Sequence, residues 1–207
     1  MYASVYKYAK NHNLVPLRNR ARRVPVAYIC IDESGNYERL DLVPKTNRER
    51  MWCPDIGKNR AASGTNANII CNKREYIFCI NDENQKPTGN KSKHEGWMQL
   101  TEEGASESKT MKSIWKFCQS IESDKSLYMR INQDLNDSGI KATDFISFRI
   151  NGQRAEDEEV NDWNNWFDCK MDALNNSGKD NLTEGISALT GETVIPIQGK
   201  DKFPQIM

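Results

Sequence analysis

Residues 24 to 43 read VPVAYICIDESGNYERLDLV. Two runs of β-branched and aromatic side chains flank Glu33-Ser34-Gly35-Asn36, a cluster that supplies turn hydrogen bonds and a glycine free to take positive φ. The pattern predicts a β-hairpin, and it commits the N-terminal third of the chain to a sheet. Val24, Val26, Tyr28 and Cys30 fall on one face of the first strand, while the opposite alternation is partly polar. A third strand is expected at 75–80 (EYIFCI) and a fourth at 144–150, where Phe145, Ser147 and Arg149 alternate with Ile146, Phe148 and Ile150 before a turn at Gly152. A strand-like segment at 187–197 turns at Thr190-Gly191-Glu192.

The intervening texture is helical. Residues 91–101 and 106–121 carry apolar side chains at intervals of three and four, with Met111, Ile114, Trp115 and Cys118 in the second and N-cap chemistry at Ser106 to Lys109. A shorter helix is predicted over 123–135. Another is predicted over 156–175, where Glu156, Asp157, Glu158 and Glu159 form a solvated acidic start and Trp163 belongs to the buried stripe. Residues 2–12 place Val5, Tyr8 and Ala9 on one face of a short helix. Strands and helices are segregated in sequence, so the expected class is α+β: a small, mostly antiparallel sheet with helices packed against it.

At 207 residues the chain suits a single domain spanning 1–207, with a basic hairpin, loop and strand part over 1–80 and an acidic, mainly helical part over 81–207. The lack of a clear final element leads us to expect the N-terminal domain of a longer protein. Mean hydropathy is −0.79, but five Trp, seven Tyr and six Phe provide the aromatic payload that disordered chains lack. The longest apolar run, Val24 to Ile31, is far short of the roughly 18 to 20 residues of a membrane span. The first dozen residues lack the pattern of a secretory leader. A cytoplasmic protein without membrane contact is expected, its six cysteines reduced and mostly buried. Two histidines and no CxxC give zinc no ligand spacing.

A net charge of zero hides segregation along the chain. Residues 1–74 carry 14 Lys and Arg against 6 Asp and Glu, and residues 75–207 carry 15 against 23. The basic part is densest in Arg18, Arg20, Arg22 and Arg23, then Lys45, Arg48, Arg50, Lys58, Arg60, Lys73 and Arg74. These residues serve either as solvated loops balanced by the acidic half or as a phosphate-facing surface. A polar connection from Pro44 to Asn68 ends in RAASGTNAN, which has nothing large to bury and many ways to hydrogen-bond. A connection that long is functional or disordered. The P-loop, dinucleotide, nucleophile-elbow and zincin signatures are all missing. Neither a catalytic role nor a cofactor is expected.

In order, the hairpin, SGTNANIICNKREYIFCI, KHEGWMQL, FISFRINGQ with WNNWFDCKMDAL, and ALTGETVIPI resemble the CRISPR-associated large subunit of the type I-C (Dvulg subtype) Cascade, the Csd large-subunit family. Ser63, Gly64, Asn68, Tyr76, Phe148, Arg149, Gly152, Thr190, Gly191 and Glu192 stand where family members have them. Ala67 replaces a proline, Asn72 an acid, Lys73 an asparagine and Ala188 a cysteine. The resemblance covers nearly all of this chain and about the first third of a full-length member. It implies a subunit that reads the protospacer-adjacent motif on target double-stranded DNA and helps open that duplex. It also implies contact with the end of the complex that holds the crRNA 5′ handle, and partnership with the other Cascade subunits and the recruited helicase-nuclease.

On that reading Asn66 and Asn68 contact base edges, Ser63 and Gly64 shape the loop, and Asn72 and Lys73 assist. Arg18, Arg20, Arg22, Arg23, Lys58 and Arg60 hold phosphates. Two other classes remain: a docking or scaffold module that reads no bases, and a nuclease, for which the acidic run at 156–159 is the sole carboxylate cluster.

Overall fold

The computed structural model describes residues 4, 5, 7, 8, 19–56, 67–78, 88–157, 162–176, 185, 186, 193 and 194. The chain divides into two compact units. One is Leu17–Asp172, and the other joins Met1–Pro16 to Ala173–Met207.

The predicted hairpin is the centre of the larger unit. Strands β2 (Ala27–Ile31) and β3 (Tyr37–Leu42) pair antiparallel. Their turn is fixed by the Asp32 carboxylate, which accepts hydrogen bonds from the Ser34 and Asn36 backbone N–H groups at 2.8 and 2.9 Å. Gly35 has φ +81°, and a Cβ there would meet the Phe117 backbone nitrogen at 2.5 Å. Glycine is therefore required both by the turn and by the close approach of the neighbouring helix.

β2 also pairs in parallel with β6 (Phe145–Ile150), and β6 pairs antiparallel with β5 (Asn72–Lys73) and β7 (Gln153–Arg154). The sheet order is β3-β2-β6-β5, with β7 also on β6. Asn151 and Gly152, both at positive φ, close the β6–β7 hairpin as an Asn-Gly turn does. The class is α+β, and the β2–β6 pair makes the sheet mixed.

Register decides the two faces. Ala27, Ile29 and Ile31 lie opposite Ile146, Phe148 and Ile150, and this face meets the helices. Helix α2 (Thr88–Ala105), α3 (Lys109–Ser123) and α4 (Lys125–Asp137) follow one another, and Met111, Ile114, Phe117, Cys118 and Ile121 of α3 are buried in the core. Phe117 meets Phe148 edge-on at 5.8 Å, and Trp97 stacks on Phe148 at 6.2 Å. The N-terminus of α3 is capped by Ser108, whose side chain accepts from Met111 N–H. It is capped again by Asp162, which accepts from the Ser108 hydroxyl and the Lys109 N–H, both at 2.6 Å.

Three expectations are corrected. Residues 75–78 do not form the expected strand, since Arg74–Ile77 form the short helix α1, and residues 79–80 of that expectation lie outside the described residues. Arg74 N–H and Glu75 N–H donate to Asp144 and Ala142 carbonyls. The Arg74 side chain turns inward to Ile140 O, Asn132 and Asn136, at the C-terminal end of α4, where a cation is favoured. The last helix, α5 (Asn164–Asn176), begins well after residue 156, and Glu156 is buried rather than solvated. The long polar connection contains a 3₁₀ turn at Lys45–Asn47 and a strand, β4 (Met51–Pro54), which pairs antiparallel with β1 (Arg20–Arg23). Trp163 is core, as its spacing indicates.

In the smaller unit, residues 4, 5, 7 and 8 are helical, with Val5 and Tyr8 exposed. β8 (Gly185–Ile186) pairs antiparallel with β9 (Thr193–Val194). Residues 187–192, the expected Thr-Gly-Glu turn among them, lie outside the described residues.

Candidate nucleic-acid interface

The β1–β4 ribbon gathers the arginine cluster and separates its members. Alternation puts Arg20 and Arg22 on one face and Arg23 on the other. Arg20 is committed to the interior. Its guanidinium forks the Asp168 carboxylate at 2.9 and 3.4 Å, donates to Asn19 O and Asn164 Oδ1, and lies over Trp163 and Phe167 at 4.8 and 5.3 Å. Arg23 pairs with Asp55 at 3.3 Å and covers Phe145. Neither presents a free fork to a phosphate, which corrects their assignment as phosphate ligands.

Arg22 is the exposed member, and its guanidinium stacks 4.9 Å from the centroid of Trp52, its cross-strand partner. Lys45, Arg48 and Arg50 are exposed on the segment that leads into β4. Together these four cations face solvent around one short ribbon, with Glu49 the nearest acid in sequence. Trp52 and this second basic group were missed as site residues because MWCP sits inside a stretch whose polarity hides the strand. The available signal was the alternation of Arg22 and Trp52 with Ala21 and Cys53.

Arg18, Lys58, Arg60, Ser63, Gly64 and Asn66 lie outside the described residues. Asn68 and Asn72 are both fully buried. Asn68 Oδ1 accepts from Ile56 N–H at 3.0 Å, and its main-chain carbonyl accepts from Asn72 Nδ2 at 3.0 Å. These two amides stitch residues 67–73 to the end of β4, so their edges do not face a ligand in this conformation. The Asn68 Nδ2 group is buried with no hydrogen-bond partner. Lys73 is half-buried, with its N–H held by Asn72 Oδ1.

The reverse face of the main sheet carries a polar layer. The Glu156 carboxylate accepts from Tyr28 and Ser147 hydroxyls, both at 2.9 Å, and burial pushes its pKa above the carboxylate range. Burial and the neighbouring Glu156 raise the Tyr28 phenol as well. Arg149 lies over the Tyr28 ring and pairs with Asp41 at 3.2 Å. Asp157 accepts from Arg154 at 3.0 Å. Glu158 and Glu159 lie outside the described residues. Among the described residues no three His, Cys, Asp or Glu side chains converge as a metal site requires.

The model of one protein family, described as CRISPR-associated protein (Cas_Csd1), matches residues 2–203. This chain belongs to the Cas_Csd1 family. Membership makes it a CRISPR-associated large-subunit protein with Cascade components as its natural partners. No curated protein gives a significant match. In this Cas_Csd1 member no helix among the described residues is long and apolar enough to cross a membrane.

Proposed function

We propose that this domain is a non-catalytic DNA-recognition element of a type I-C Cascade in the cytoplasm. It reads the protospacer-adjacent motif on target duplex, assists opening beside it, and lies at the crRNA 5′-handle end of the complex. The observation that supports this reading is the exposed cation group Arg22, Lys45, Arg48 and Arg50 on and beside the β1–β4 ribbon. Phosphate contacts of this kind position a protein on a duplex without reading sequence. β4 leads directly into the stretch that holds Lys58, Arg60, Ser63, Gly64 and Asn66. Small side chains there allow close approach of the backbone, and an asparagine amide can pair with a base edge. In this proposal Asn66 reads the base, Ser63 and Gly64 shape the approach, and buried Asn68 and Asn72 brace it with Lys73 beside them.

The test is duplex binding by assembled Cascade, with and without the adjacent motif. Asn66→Ala should reduce discrimination by about 1–3 kcal/mol with unchanged thermal stability. Combined Arg22, Arg48 and Arg50 to Ala should weaken all duplexes alike and lower the salt slope by up to roughly 3. Full discrimination in Asn66→Ala would refute the reading role.

A docking role without base reading is favoured by a different feature. An open groove of about 460 Å³ runs between β3 and α4, lined by Tyr37, Leu40, Leu42, Arg130, Asp134 and Asp137. Leu42 is 53% exposed there.

A further inference from the structure

We propose that Trp52 is a stacking platform for an unpaired base, and that its occupant is the DNA strand freed when the duplex opens. This rests on the reading of the β1–β4 ribbon as a nucleic-acid face and names what that face holds. Trp52 lies half-buried on β4, cross-strand from Arg22, whose guanidinium sits 4.9 Å from the ring centroid. Among the described residues the indole belongs neither to the buried core nor to the hydrophobic side chains packed against it. The largest aromatic surface a side chain can offer is therefore kept at the rim of the fold, beside a cation.

The ribbon holds this ring in place from both faces. One step along on the same face, Arg20 lies across from Pro54 and turns inward to Asp168 and Asn164. On the opposite face Cys53, next in sequence to Trp52, is 0% exposed, and Arg23 reaches Asp55 at 3.3 Å. With the backbone on either side tied down, Trp52 has little freedom to lose when a ligand stacks on it.

Cations accompany the ring. Arg22 is exposed on β1, and Lys45, Arg48 and Arg50 are exposed in the seven residues before Trp52. Positive side chains that track phosphates, joined to an aromatic face that takes bases, are the combination single-strand binding uses. In a closed duplex both faces of a base are covered by its neighbours, so only an unpaired base can lie on the indole. The platform thus adds nothing for closed duplex and favours the open strand. Every base has a π-face, so the contact tolerates any sequence. That separates it from the base-edge reading assigned to Asn66.

The experiment measures binding of the purified full chain, at one low salt concentration, to four probes of about 15 nucleotides. They are oligothymidylate, an abasic strand with the same phosphates, oligouridylate and a closed duplex. Wild type is expected to hold oligothymidylate roughly 5- to 150-fold more tightly than the abasic strand. Trp52→Ala should erase that advantage while leaving abasic and duplex binding within about 2-fold of wild type, and Trp52→Phe should fall between. Equal wild-type affinity for oligothymidylate and the abasic strand would overturn the proposal and leave the ribbon a phosphate contact only. That comparison needs no variant to fold. A uniform loss on every probe in Trp52→Ala would also overturn it, since the ring would then only brace Arg22. Tighter binding of oligouridylate than of oligothymidylate would overturn the assignment to DNA. Binding to none of the probes would sink both this proposal and the nucleic-acid reading beneath it.

Discussion

Arg20 and Arg22 lie two residues apart on one face of β1, and replacing each by alanine should give opposite phenotypes. For Arg20→Ala the loss is internal. The forked pair with Asp168, whose carboxylate side chain is 38% exposed, is worth about 1 kcal/mol after screening. The guanidinium over Trp163 and Phe167 adds about 1–2 kcal/mol. Hydrogen bonds to Asn19 O and Asn164 Oδ1 contribute about 1 kcal/mol, as the side chain is only 7% exposed. The total, about 3–4 kcal/mol, corresponds to a fall in melting temperature of roughly 6–16 °C for a unit of this size.

Urea unfolding monitored by tryptophan fluorescence is the direct assay, since Trp163 sits in the perturbed contact. Arg20→Lys keeps the charge but loses the fork and the stacking, and should recover less than half of the loss. Arg22→Ala should stay within about 0.5 kcal/mol of wild type and lose duplex affinity in the assembled complex. The reasoning fails if Arg20→Ala unfolds within 1 kcal/mol of wild type while duplex binding falls as it does for Arg22→Ala. Arg20 would then be a phosphate ligand and its cage dispensable.

The buried Glu156 carboxyl has a raised pKa, so its contribution to stability is present below the unfolded value and fades as pH climbs through the folded one. Glu156→Gln should remove that loss above about pH 4.5, seen as a flatter curve of urea midpoint against pH than wild type. Asp32, Asp41 and Asp124, lowered by hydrogen bonds from neighbours, act in the opposite sense in both proteins and cancel from the difference. Gly35→Ala should cost at least 2 kcal/mol, because a methyl would overlap Phe117 N and Ser113 O and the φ is left-handed. A change below 0.5 kcal/mol in urea unfolding would contradict the close packing of the hairpin turn on α3.

The hairpin, the three central helices and β6 were legible because each owes its form to local chemistry: a turn with glycine, a stripe at three and four, an alternation. What escaped was set by distant partners. EYIFCI has strand propensity throughout, yet Arg74 is drawn to carbonyls at the end of α4, and the backbone of 74–75 bonds to 142–144. The acidic run looked like a helix start until Tyr28, 128 residues away in sequence, and Ser147 on β6 took the first acid inside. The arginine cluster was visible as charge, but which of its members face solvent depended on Asp168, Trp163 and Asp55. For the candidate site, composition marked out the basic half but could not sort cations turned inward to carboxylates from those exposed at the surface.

The parallel pairing of Ala27 with Ile146 joins residues 119 positions apart, and this has a consequence during synthesis. At about 5–20 residues per second, β2 waits roughly 6–24 seconds after emerging before its partner strand exists. Through that interval AYICI has only β3 beside it and its other edge is open, the arrangement most prone to pair with the wrong chain. Slow closure of so distant a contact is expected to dominate the folding time. The nascent polypeptide therefore has reason to need a chaperone, or a Cascade neighbour made at the same moment, until β6 arrives.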